Sequence, residues 1–398
     1  MFNNSSTLLG KTSSAEKFDK QLSCFLWYLR NQTVPHDQIQ DLCSNYPSLL
    51  EMGTAANVIW CVMGILIIIP NTLVLGTVVG RKELHKPIYL FMANLAVSDI
   101  LAGVTLPCSV AIRLESLGLS RLYKVMNVTS FIIYSQMVSA SALSLLSIYS
   151  YVAVRHPVYF HNQAGNAKCY SGIAIVSSWS ILSFFAFSSS MGWNCLDMAD
   201  PACVHFYPPA LIGIIAAIII SMVGIMMFTN ISTFQAIRQR QKIRIGQGLV
   251  MQQLSNTPGQ NTARVSQQHN IAQEEAELKY QKSVHKAGTV VIQVVLALIF
   301  WILPLVFIAI CLIDIKKCPL QNGPNEMAIL WTLNSLINPI AGIVRTPELR
   351  KGVRQNCAAV CRAVVTAVQG NDVETQNENP VPGNSANLQE GSVHGHRQ

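Results

Sequence analysis

The chain carries little charge for its length. Only 12% of its 398 residues are Asp, Glu, Lys or Arg, whereas 51% are hydrophobic. A soluble globular domain usually carries about 25% charged residues. This shortage of charge excludes an ordinary soluble protein and favours a membrane protein.

The sequence has few cysteines, and it has no long apolar segment near its N-terminus. Eleven cysteines are too few to form a disulfide scaffold in a chain of this length. Residues 1–50 contain no continuous apolar segment of the kind found in cleavable signal peptides, so we expect the first membrane-spanning helix to direct insertion. No constellation of His, Cys and Asp has the spacing of a nucleophile or metal centre, which argues against an enzyme.

Long hydrophobic stretches are what the sequence has in abundance. A membrane-spanning helix needs about 20 predominantly apolar residues. Seven stretches meet this requirement and predict an all-α bundle of seven transmembrane helices: 55–79, 88–112, 125–154, 171–191, 209–234, 287–313 and 325–345. The third and fifth contain enough Ser and Thr to be buried among the others. The sequence has no internal repeat, which argues against a transporter.

The positions of the basic residues predict the orientation of the bundle. Of the 28 Lys and Arg residues, 18 fall in segments that are cytoplasmic if the N-terminus is extracellular, and Arg345 ends the last span on the same side. This distribution follows the positive-inside rule and explains the net charge of +8 without nucleic acid. It predicts a multi-pass membrane protein with an extracellular N-terminus and a cytoplasmic C-terminus. Glycosylation motifs at Asn3, Asn4 and Asn31 lie in the predicted extracellular segment.

The spans divide the chain into segments of different character. They are an extracellular segment 1–54, the bundle 55–345 with a long cytoplasmic loop 235–286, a membrane-surface helix 346–362 and a disordered tail 363–398. The surface helix is predicted because Thr346, Pro347 and Glu348 form a favourable helix start and apolar residues then recur on one face. Its Cys357 and Cys361 are candidates for palmitoylation, although inert thiols would fit equally well.

Polar residues and prolines recur inside the predicted spans in a familiar order. The residues that carry this pattern are Asn71, Asn94, Asp99, Trp179, Asn334, Asn338 and Pro339. Together they resemble the rhodopsin-like (class A) G-protein-coupled receptors over about residues 55–362. The stretch Met191-Gly192-Trp193-Asn194-Cys195 followed by Cys203 is similar to the lysophospholipid, cannabinoid, adenosine and melanocortin receptor subgroup.

Asp99 is the most informative residue inside the spans. A carboxylate near the bilayer centre is unfavourable unless it is hydrated or paired. Its expected neighbours are oxygen-bearing side chains: Asn71, Ser141, Asn334 and Asn338. The resemblance implies that this cluster holds an allosteric sodium ion, whereas the alternative is a satisfied polar network without an ion. No other cofactor is expected.

The end of the third span lacks the Asp-Arg-Tyr triplet of the receptor family. Counting forward from Ser139-Ala140-Ser141 puts the family's arginine at Val152, whereas counting backward from Tyr151 and Pro157 puts it at Ser150. The two counts differ by two residues, which predicts a deletion. A deletion of this size would rotate the end of the helix by about 200° and require a bulge or a changed face.

Other positions that relay activation in the family also differ. Gly342 stands where a tyrosine usually follows Pro339, and Trp301 and Pro304 are one residue further apart than usual. The altered activation region comprises Ser150, Tyr151, Pro304, Pro339 and Gly342, with Phe228 or Asn230 replacing a further tyrosine. The sequence predicts a receptor with divergent coupling to its G protein. The alternative is a receptor-like binding or scaffolding protein that does not activate a G protein.

The predicted ligand pocket carries no charge. Lysophospholipid receptors use an Arg-Glu pair in the third helix, and the corresponding residues are Ser130 and Phe131. The predicted lining is aromatic: Phe131, Tyr134, Trp301, Phe307 and Trp331. Such a lining favours an uncharged or amphiphilic, lipid-like small molecule, although the same residues could simply pack the core. The resemblance further implies a heterotrimeric G protein and arrestin as partners.

The resemblance also implies how the extracellular cysteines pair. Most family members tie the second extracellular loop to the third helix, but Asn127 stands at that position. We therefore expect a disulfide within the loop, between Cys195 and Cys203. Cys24 with Cys43 and Cys311 with Cys318 are further candidate pairs.

Overall fold

The computed structural model describes most of the chain. The described residues are 21–31, 34–46, 53–114, 118–197, 206–254, 295, 298–302, 305–306, 309–310, 313 and 325–376. Within them the backbone forms helices and turns and no strand. The predicted all-α fold is therefore confirmed.

The described residues include ten α-helices. They are α1 Gln21–Asn31, α2 His36–Cys43, α3 Thr54–Gly80, α4 Pro87–Arg113, α5 Leu119–Arg155, α6 Pro157–Asn162, α7 Ala167–Ala186, α8 Pro209–Leu254, α9 Asn325–Arg345 and α10 Pro347–Gln376. The described residues between 295 and 313 are also helical and belong to the predicted sixth span. Short 3₁₀ turns occur at Lys82–Leu84 and Ser189–Met191.

The helices coincide with the predicted spans. Five are long and apolar enough to cross a membrane, namely α3, α4, α5, α7 and the part of α8 from Pro209 to Arg240. They match the first five predicted stretches, and α9 has the predicted bounds of the seventh. Most of the sixth lies outside the described residues.

Proline positions explain several helix boundaries. Proline has no backbone N–H and a fixed φ, so it fits the first turn of a helix. Pro87 and Pro157 occupy this position in α4 and α6, and Pro347 is the first residue of α10. Pro70 and Pro107 lie inside α3 and α4, where neighbouring helices of a bundle tolerate them.

Helix α5 is the central helix of the bundle. In its most apolar 18-residue window 67% of the residues are buried, compared with 17% in α7. The prediction that the third span is buried is therefore confirmed. For α8 the prediction is wrong, because only 33% of its window is buried, less than the 50% of α4. Ser221 and Thr229 of α8 bond carbonyls of their own helix, so these hydroxyls need no neighbouring helix.

Two glycines allow α3 and α4 to approach closely. A Cβ atom on Gly64 would lie 2.7 Å from the carbonyl oxygen of Gly103, and one on Gly103 would lie 2.8 Å from Ile68. Neither position has room for a methyl group. Small residues at such crossings let backbones pack tightly in membranes, where hydrophobicity does not drive helices together.

The segment before α3 forms a small helical hairpin. A disulfide joins Cys24 in α1 to Cys43 in α2, with their Cα atoms 5.8 Å apart. The apolar side of the hairpin packs against Leu122 and Met126 near the start of α5 and against Phe206. The hairpin therefore packs against the N-terminal end of the central helix.

Two helices extend beyond their predicted ends. Helix α8 continues to Leu254, into the predicted loop, and α10 continues to Gln376, into the predicted tail. Both extensions begin with residues that favour helices and lack proline, so the helices continue after their apolar faces end. The compact unit that contains the bundle ends at Val353, and the residues from Arg354 form a second unit.

Candidate functional site

The Asp99 carboxylate joins three helices inside the bundle. Asp99 lies in α4 and is fully buried. The Ser139 hydroxyl of α5 donates to its Oδ1 over 3.2 Å, and Nδ2 of Asn338 of α9 donates to its Oδ2 over 3.1 Å. The hydroxyl of Ser335 in α9 is a third partner. Each carboxylate oxygen thus has a donor, which offsets the cost of its burial.

A second layer of hydrogen bonds converges on Ser335. Nδ2 of Asn71 in α3 donates to the Ser335 carbonyl over 3.2 Å, and Nε2 of Gln136 in α5 donates to its hydroxyl, also over 3.2 Å. Asn71, Gln136, Ser335 and Asp99 therefore connect α3, α4, α5 and α9. We call these four residues together with Ser139 and Asn338 the polar network.

Of the four predicted neighbours of Asp99, one bonds it directly, one reaches it through Ser335, and two make no hydrogen bond to it. Asn338 bonds Asp99 directly, Asn71 reaches it through Ser335, and Asn334 is the residue before Ser335. Both amide atoms of Asn334 are buried without a hydrogen-bond partner in the described part of the chain. Ser141 is buried but makes no bond to Asp99, whereas Ser139 does. Ser139 thus makes the contact that was predicted for Ser141. The two cannot both face Asp99, because residues two apart on a helix point about 200° apart.

This correction changes the position at which the family's arginine is expected near the end of α5. Moving the anchor from Ser141 back to Ser139 moves the forward count from Val152 to Ser150, where the backward count already ends. The predicted deletion is therefore wrong, and α5 runs as one helix from Leu119 to Arg155. Ser150 occupies the arginine position, where it is buried and bonds the Leu146 carbonyl over 2.9 Å.

Neutral contacts join α5 to α8 near the end of α5 that carries the altered triplet. Nδ2 of Asn230 in α8 donates to the hydroxyl of Ser147 over 3.1 Å, and both residues are buried. The Tyr151 ring lies 6.2 Å from the ring of Phe228. Of the two residues considered for the missing tyrosine, Asn230 thus faces the bundle and Phe228 is mostly exposed.

A small cavity lies beside the position of the missing tyrosine in α9. It has a volume of about 10 Å³, about the minimum that can hold one water molecule. Asn71, Asn338, Pro339 and Gly342 line it together with Leu349 of α10. A Cβ atom on Gly342 would lie 3.8 Å from Leu349, an ordinary contact, so this leucine fills part of the space.

The predicted pocket residues separate into two groups. Trp301 of the sixth span and Trp331 of α9 lie with their ring centroids 6.2 Å apart, and both indole nitrogens are buried without a partner in the described part of the chain. Phe131 and Tyr134 instead contact Phe187 beyond the end of α7, at 4.8 and 5.2 Å. Phe307 and Pro304 lie outside the described residues.

The location of Phe131 and Tyr134 corrects the predicted lining. Gln136 and Ser139 mark the face of α5 that points to α4 and α9. Phe131 precedes Gln136 by five residues and Tyr134 by two, so both lie well away from this face on a helix of 3.6 residues per turn. Phe131 is 47% exposed, and the Tyr134 hydroxyl donates to the Trp179 carbonyl of α7 over 3.3 Å.

A buried set of hydroxyls closes the region around Ser130. The Ser130 hydroxyl lies 2.9 Å from that of Ser189 and 3.2 Å from that of Tyr207, and Tyr207 donates to the Met126 carbonyl. Burial raises the pKa of Tyr207 above its usual range, so this phenol stays protonated. With the corrected register, the family's Arg-Glu positions fall on Val128 and Thr129, which are also uncharged.

Comparison with known proteins agrees with this geometry. A family model described as "7 transmembrane receptor (rhodopsin family)" matches residues 70–341, which is more than half of the chain. The chain belongs to the rhodopsin-like G-protein-coupled receptors. This membership confirms the predicted receptor function and the prediction that the chain is not an enzyme. It also agrees with the hydrogen bond of 2.7 Å from the Trp179 indole to Asn94 Oδ1, two residues that carried the resemblance.

Several curated relatives of this receptor are sphingosine 1-phosphate receptors. Sphingosine 1-phosphate receptor 1 of Danio rerio is 26% identical over 75% of this chain and 76% of its own length. Sphingosine 1-phosphate receptor 2 is 26% identical in Rattus norvegicus, over 72% of each chain, and 24% identical in Homo sapiens, over 76% of this chain and 75% of its own. These relatives are lysophospholipid receptors, so the predicted subgroup is confirmed.

The disulfides that the sequence predicts are partly described. The candidate pair Cys24–Cys43 is bonded. Cys195 is also bonded in a disulfide, and its predicted partner Cys203 lies outside the described residues, as do Cys311 and Cys318. Cys357 and Cys361 are free thiols one turn apart in α10. Of the predicted glycosylation sites, Asn31 is the last residue of α1, and Asn3 and Asn4 lie outside the described residues.

Sequence reasoning missed several residues of the site. Gln136, Ser139 and Ser335 could have been found from helical spacing, because Gln136 and Ser139 are three residues apart and Ser335 and Asn338 likewise. Tyr207 lies in the loop before α8, and Asn230 was considered only as a tyrosine replacement. Nothing in the sequence indicates that these two reach Ser130 and Ser147.

Proposed function

We propose that this receptor responds to an amphiphilic, lipid-like ligand that binds in the outer half of the bundle at the plasma membrane. In this proposal the N-terminal hairpin is extracellular and α10 is cytoplasmic. The distribution of Lys and Arg supports the orientation. The names of the sphingosine 1-phosphate receptors that the chain resembles support the ligand class.

Trp301 and Trp331 form what we call the tryptophan pair. The connection between this pair and the polar network carries the proposal. Trp331, Ser335, Asn338 and Gly342 recur along α9 at spacings of four, three and four residues, so they lie on one face of one helix. Trp331 contacts Trp301, whereas Ser335 and Asn338 hydrogen-bond to Asp99. A ligand that displaces the tryptophan pair therefore acts on the same helix that leads to the cytoplasmic end.

The ligand chemistry follows from the face of α5 that points into the bundle. Val128 and Thr129 carry no charge, and Ser130 is occupied by Ser189 and Tyr207. A head group cannot form the ion pair at these positions that lysophospholipid receptors use. An apolar chain suits the region near Trp301 and Trp331, since apolar and aromatic linings favour such ligands.

We further propose that the polar network binds a sodium ion. Sodium, as a hard cation, prefers oxygen ligands. The network offers the Asp99 carboxylate and the Ser139 hydroxyl, and the buried Oδ1 of Asn334 has no partner among the described residues. Within those residues, no three or more His, Cys, Asp or Glu side chains are grouped. The donor set therefore suits an alkali cation. When bound, the ion would stabilise the resting arrangement of α4, α5 and α9.

The cytoplasmic partners of this proposal are a heterotrimeric G protein and arrestin. Ser150 and the bonded pair Asn230 and Ser147 are neutral and buried near the C-terminal end of α5, so in this proposal coupling uses contacts other than an arginine at position 150. The same observation favours a second function. A receptor-like binding protein that captures the ligand without activating a G protein would also leave Ser150 in place.

Nucleotide exchange on purified G proteins tests the proposal. The full-length receptor in lipid nanodiscs is mixed with each G-protein class and with sphingosine 1-phosphate, 1-oleoyl lysophosphatidic acid or monooleoylglycerol. We expect at least one amphiphile to raise the exchange rate above that of empty nanodiscs. We also expect Trp331→Phe to weaken the response more than Phe184→Leu, which alters an exposed side chain of α7. Binding of an amphiphile without any exchange would establish the second function instead.

A further inference from the structure

Four polar side chains between the tryptophan pair and the polar network keep unused hydrogen-bonding atoms. They are Gln136 of α5, Trp301 of the sixth span, and Trp331 and Asn334 of α9. Gln136, Trp301 and Asn334 are at most 2% exposed. In the described part of the chain, no hydrogen bond satisfies Oε1 of Gln136, either amide atom of Asn334 or either indole Nε1. Buried polar side-chain atoms are usually paired, so several unpaired atoms in one region indicate a missing partner.

These side chains lie around one turn of α9. Gln136 bonds Ser335, and Trp331 and Asn334 precede Ser335 by four residues and by one. Four residues are about one turn, or about 6 Å along the helix axis. The ring centroid of Trp301 lies 6.2 Å from that of Trp331. We call Gln136, Trp301, Trp331 and Asn334 the amide–indole cluster.

The Ser335 hydroxyl determines which atom of Gln136 stays unpaired. An ionised carboxylate can only accept, so the Ser335 hydroxyl donates its single hydrogen to Asp99. Ser335 must then accept from Gln136, whose only side-chain donor is Nε2. Oε1 of Gln136 is therefore a free acceptor, and the two ends of this amide cannot be exchanged.

The free atoms of the cluster define the chemistry of its partner. Trp301, Trp331 and Nδ2 of Asn334 offer N–H donors, and Oε1 of Gln136 offers an acceptor. A hydroxyl group donates one hydrogen bond and can accept two, so it can pair with both kinds of atom. An ammonium group can only donate and a carbonyl oxygen can only accept, so each leaves part of the cluster unpaired. A carboxylate would also be repelled by the Asp99 carboxylate.

Packing alone does not account for the cluster. Phenylalanine rings could pack where the two indole rings pack without burying an N–H group. Nε2 of Gln136 links α5 to α9 through Ser335, but this contact leaves Oε1 unused. Buried polar atoms without partners destabilise a fold, and a bound group that pairs them recovers this loss.

We propose that the amide–indole cluster binds a hydroxyl group on the chain of the lipid-like ligand. This inference rests on the proposed function and adds one polar group to the apolar chain of that ligand. The hydroxyl donates to Oε1 of Gln136 and accepts from an indole N–H or from Nδ2 of Asn334. Gln136 is also a member of the polar network, so a hydroxyl bound to it acts on the residues around Asp99. Gln136 is then the residue that distinguishes hydroxylated chains from plain ones.

The sign of the chain preference reveals whether the hydroxyl has partners. A plain chain is more apolar, so it binds better than a hydroxylated chain to a site without free polar atoms. A hydroxylated chain binds better only where its hydroxyl meets free donors and acceptors, because a plain chain leaves those atoms unpaired. A preference for the hydroxylated chain is therefore evidence for the cluster as its site.

Matched lipids test the assignment on the full-length receptor in lipid nanodiscs. Thermal unfolding is measured with monostearoylglycerol and with analogues that carry one hydroxyl group near the head, in the middle or at the end of the acyl chain. We expect at least one analogue to stabilise the receptor at a concentration about 10- to 100-fold lower than monostearoylglycerol. Gln136→Leu should remove or reverse this preference. The preference is a ratio within each variant, so a general weakening of binding does not alter it.

Further variants keep the test decisive if Gln136→Leu does not fold. Trp301→Phe and Trp331→Phe each retain an aromatic ring and remove one N–H donor, and at least one of them should lower the preference several-fold. Ser135→Ala is the matched control next to Gln136. The buried Ser135 hydroxyl already bonds the Ile132 carbonyl of its own helix, so this variant should leave the preference unchanged.

Each other outcome contradicts a defined part of the inference. Stabilisation by these lipids without a preference for a hydroxylated chain would overturn the inference and leave the proposed function standing, as expected if the cluster binds only water. A preference that survives Gln136→Leu and both tryptophan substitutions would place the hydroxyl elsewhere. Stabilisation by none of the lipids would contradict the proposed function and this inference together.

Discussion

Nδ2 of Asn338 in α9 donates a hydrogen bond of 3.1 Å to Oδ2 of Asp99 in α4. The two residues are 239 positions apart in the sequence, and both are buried. Ser139 of α5 donates to the other carboxylate oxygen. The carboxylate therefore links α4, α5 and α9. Trp331 of the tryptophan pair is itself a residue of α9.

The first prediction separates the two serines that flank Ala140. Ser139→Ala removes a donor from the buried carboxylate and should lower the free energy of unfolding by about 1–3 kcal/mol. Ser141→Ala, in the same helix, should change it by less than about 0.5 kcal/mol, because Ser141 makes no bond to Asp99. Thermal unfolding of the purified receptor measures both. Equal effects of the two substitutions would contradict the arrangement around Asp99.

The second prediction concerns the sodium ion. Thermal unfolding is compared in sodium chloride and in choline chloride of equal ionic strength, so that general screening is the same. The wild-type receptor should unfold at a higher temperature in sodium, because a ligand that binds only the folded state stabilises it. Asp99→Asn keeps the size of the side chain and should abolish the difference. If the variant kept the sodium response, the ion would have to bind elsewhere.

The sequence predicts the spans better than it predicts the contacts between them. Each span is readable because a run of about 20 apolar residues has few other uses. Asp99 and Asn338 could be grouped from their chemistry alone. Ser139 and Ser141 could not be distinguished, because only helix packing decides which of two nearby serines faces α4. The closure of Ser130 by Tyr207 was also unpredictable, since it depends on the path of a loop.

The third prediction compares two glycines of α3. Gly64→Ala should destabilise the receptor by about 1–3 kcal/mol, because the added methyl group meets the Gly103 carbonyl oxygen at 2.7 Å. Gly76→Ala adds the same group where nothing lies within 4 Å, and it should be neutral or stabilise by up to about 1 kcal/mol. Thermal unfolding and cell-surface expression report both effects. Tolerance of alanine at both positions would exclude a close crossing of α3 and α4.

The fourth prediction concerns the N-terminal hairpin. The Cys24–Cys43 disulfide joins residues 19 apart, and a closed loop of this size contributes about 3 kcal/mol to local stability. Cys24→Ser should therefore increase hydrogen exchange in residues 21–46 and speed their proteolysis, while α7 stays protected. Cys61→Ser alters a free cysteine of α3 and provides the control. Unchanged exchange in Cys24→Ser would mean that the packing against Leu122 and Met126 holds the hairpin by itself.

The last prediction tests how the end of α5 limits coupling. Ser150→Arg restores a cation at the family's arginine position, and the long side chain can extend from there toward the C-terminal end of α5, five residues further on. We expect it to raise G-protein nucleotide exchange several-fold. Val152→Arg introduces the same cation about 200° away around the helix and should not raise exchange. A larger gain from Val152→Arg would place the family's arginine at residue 152. It would support the hypothesis of a two-residue deletion and contradict the pairing of Ser139 with Asp99. No gain from either variant, with both folded, would show that the missing arginine does not limit coupling.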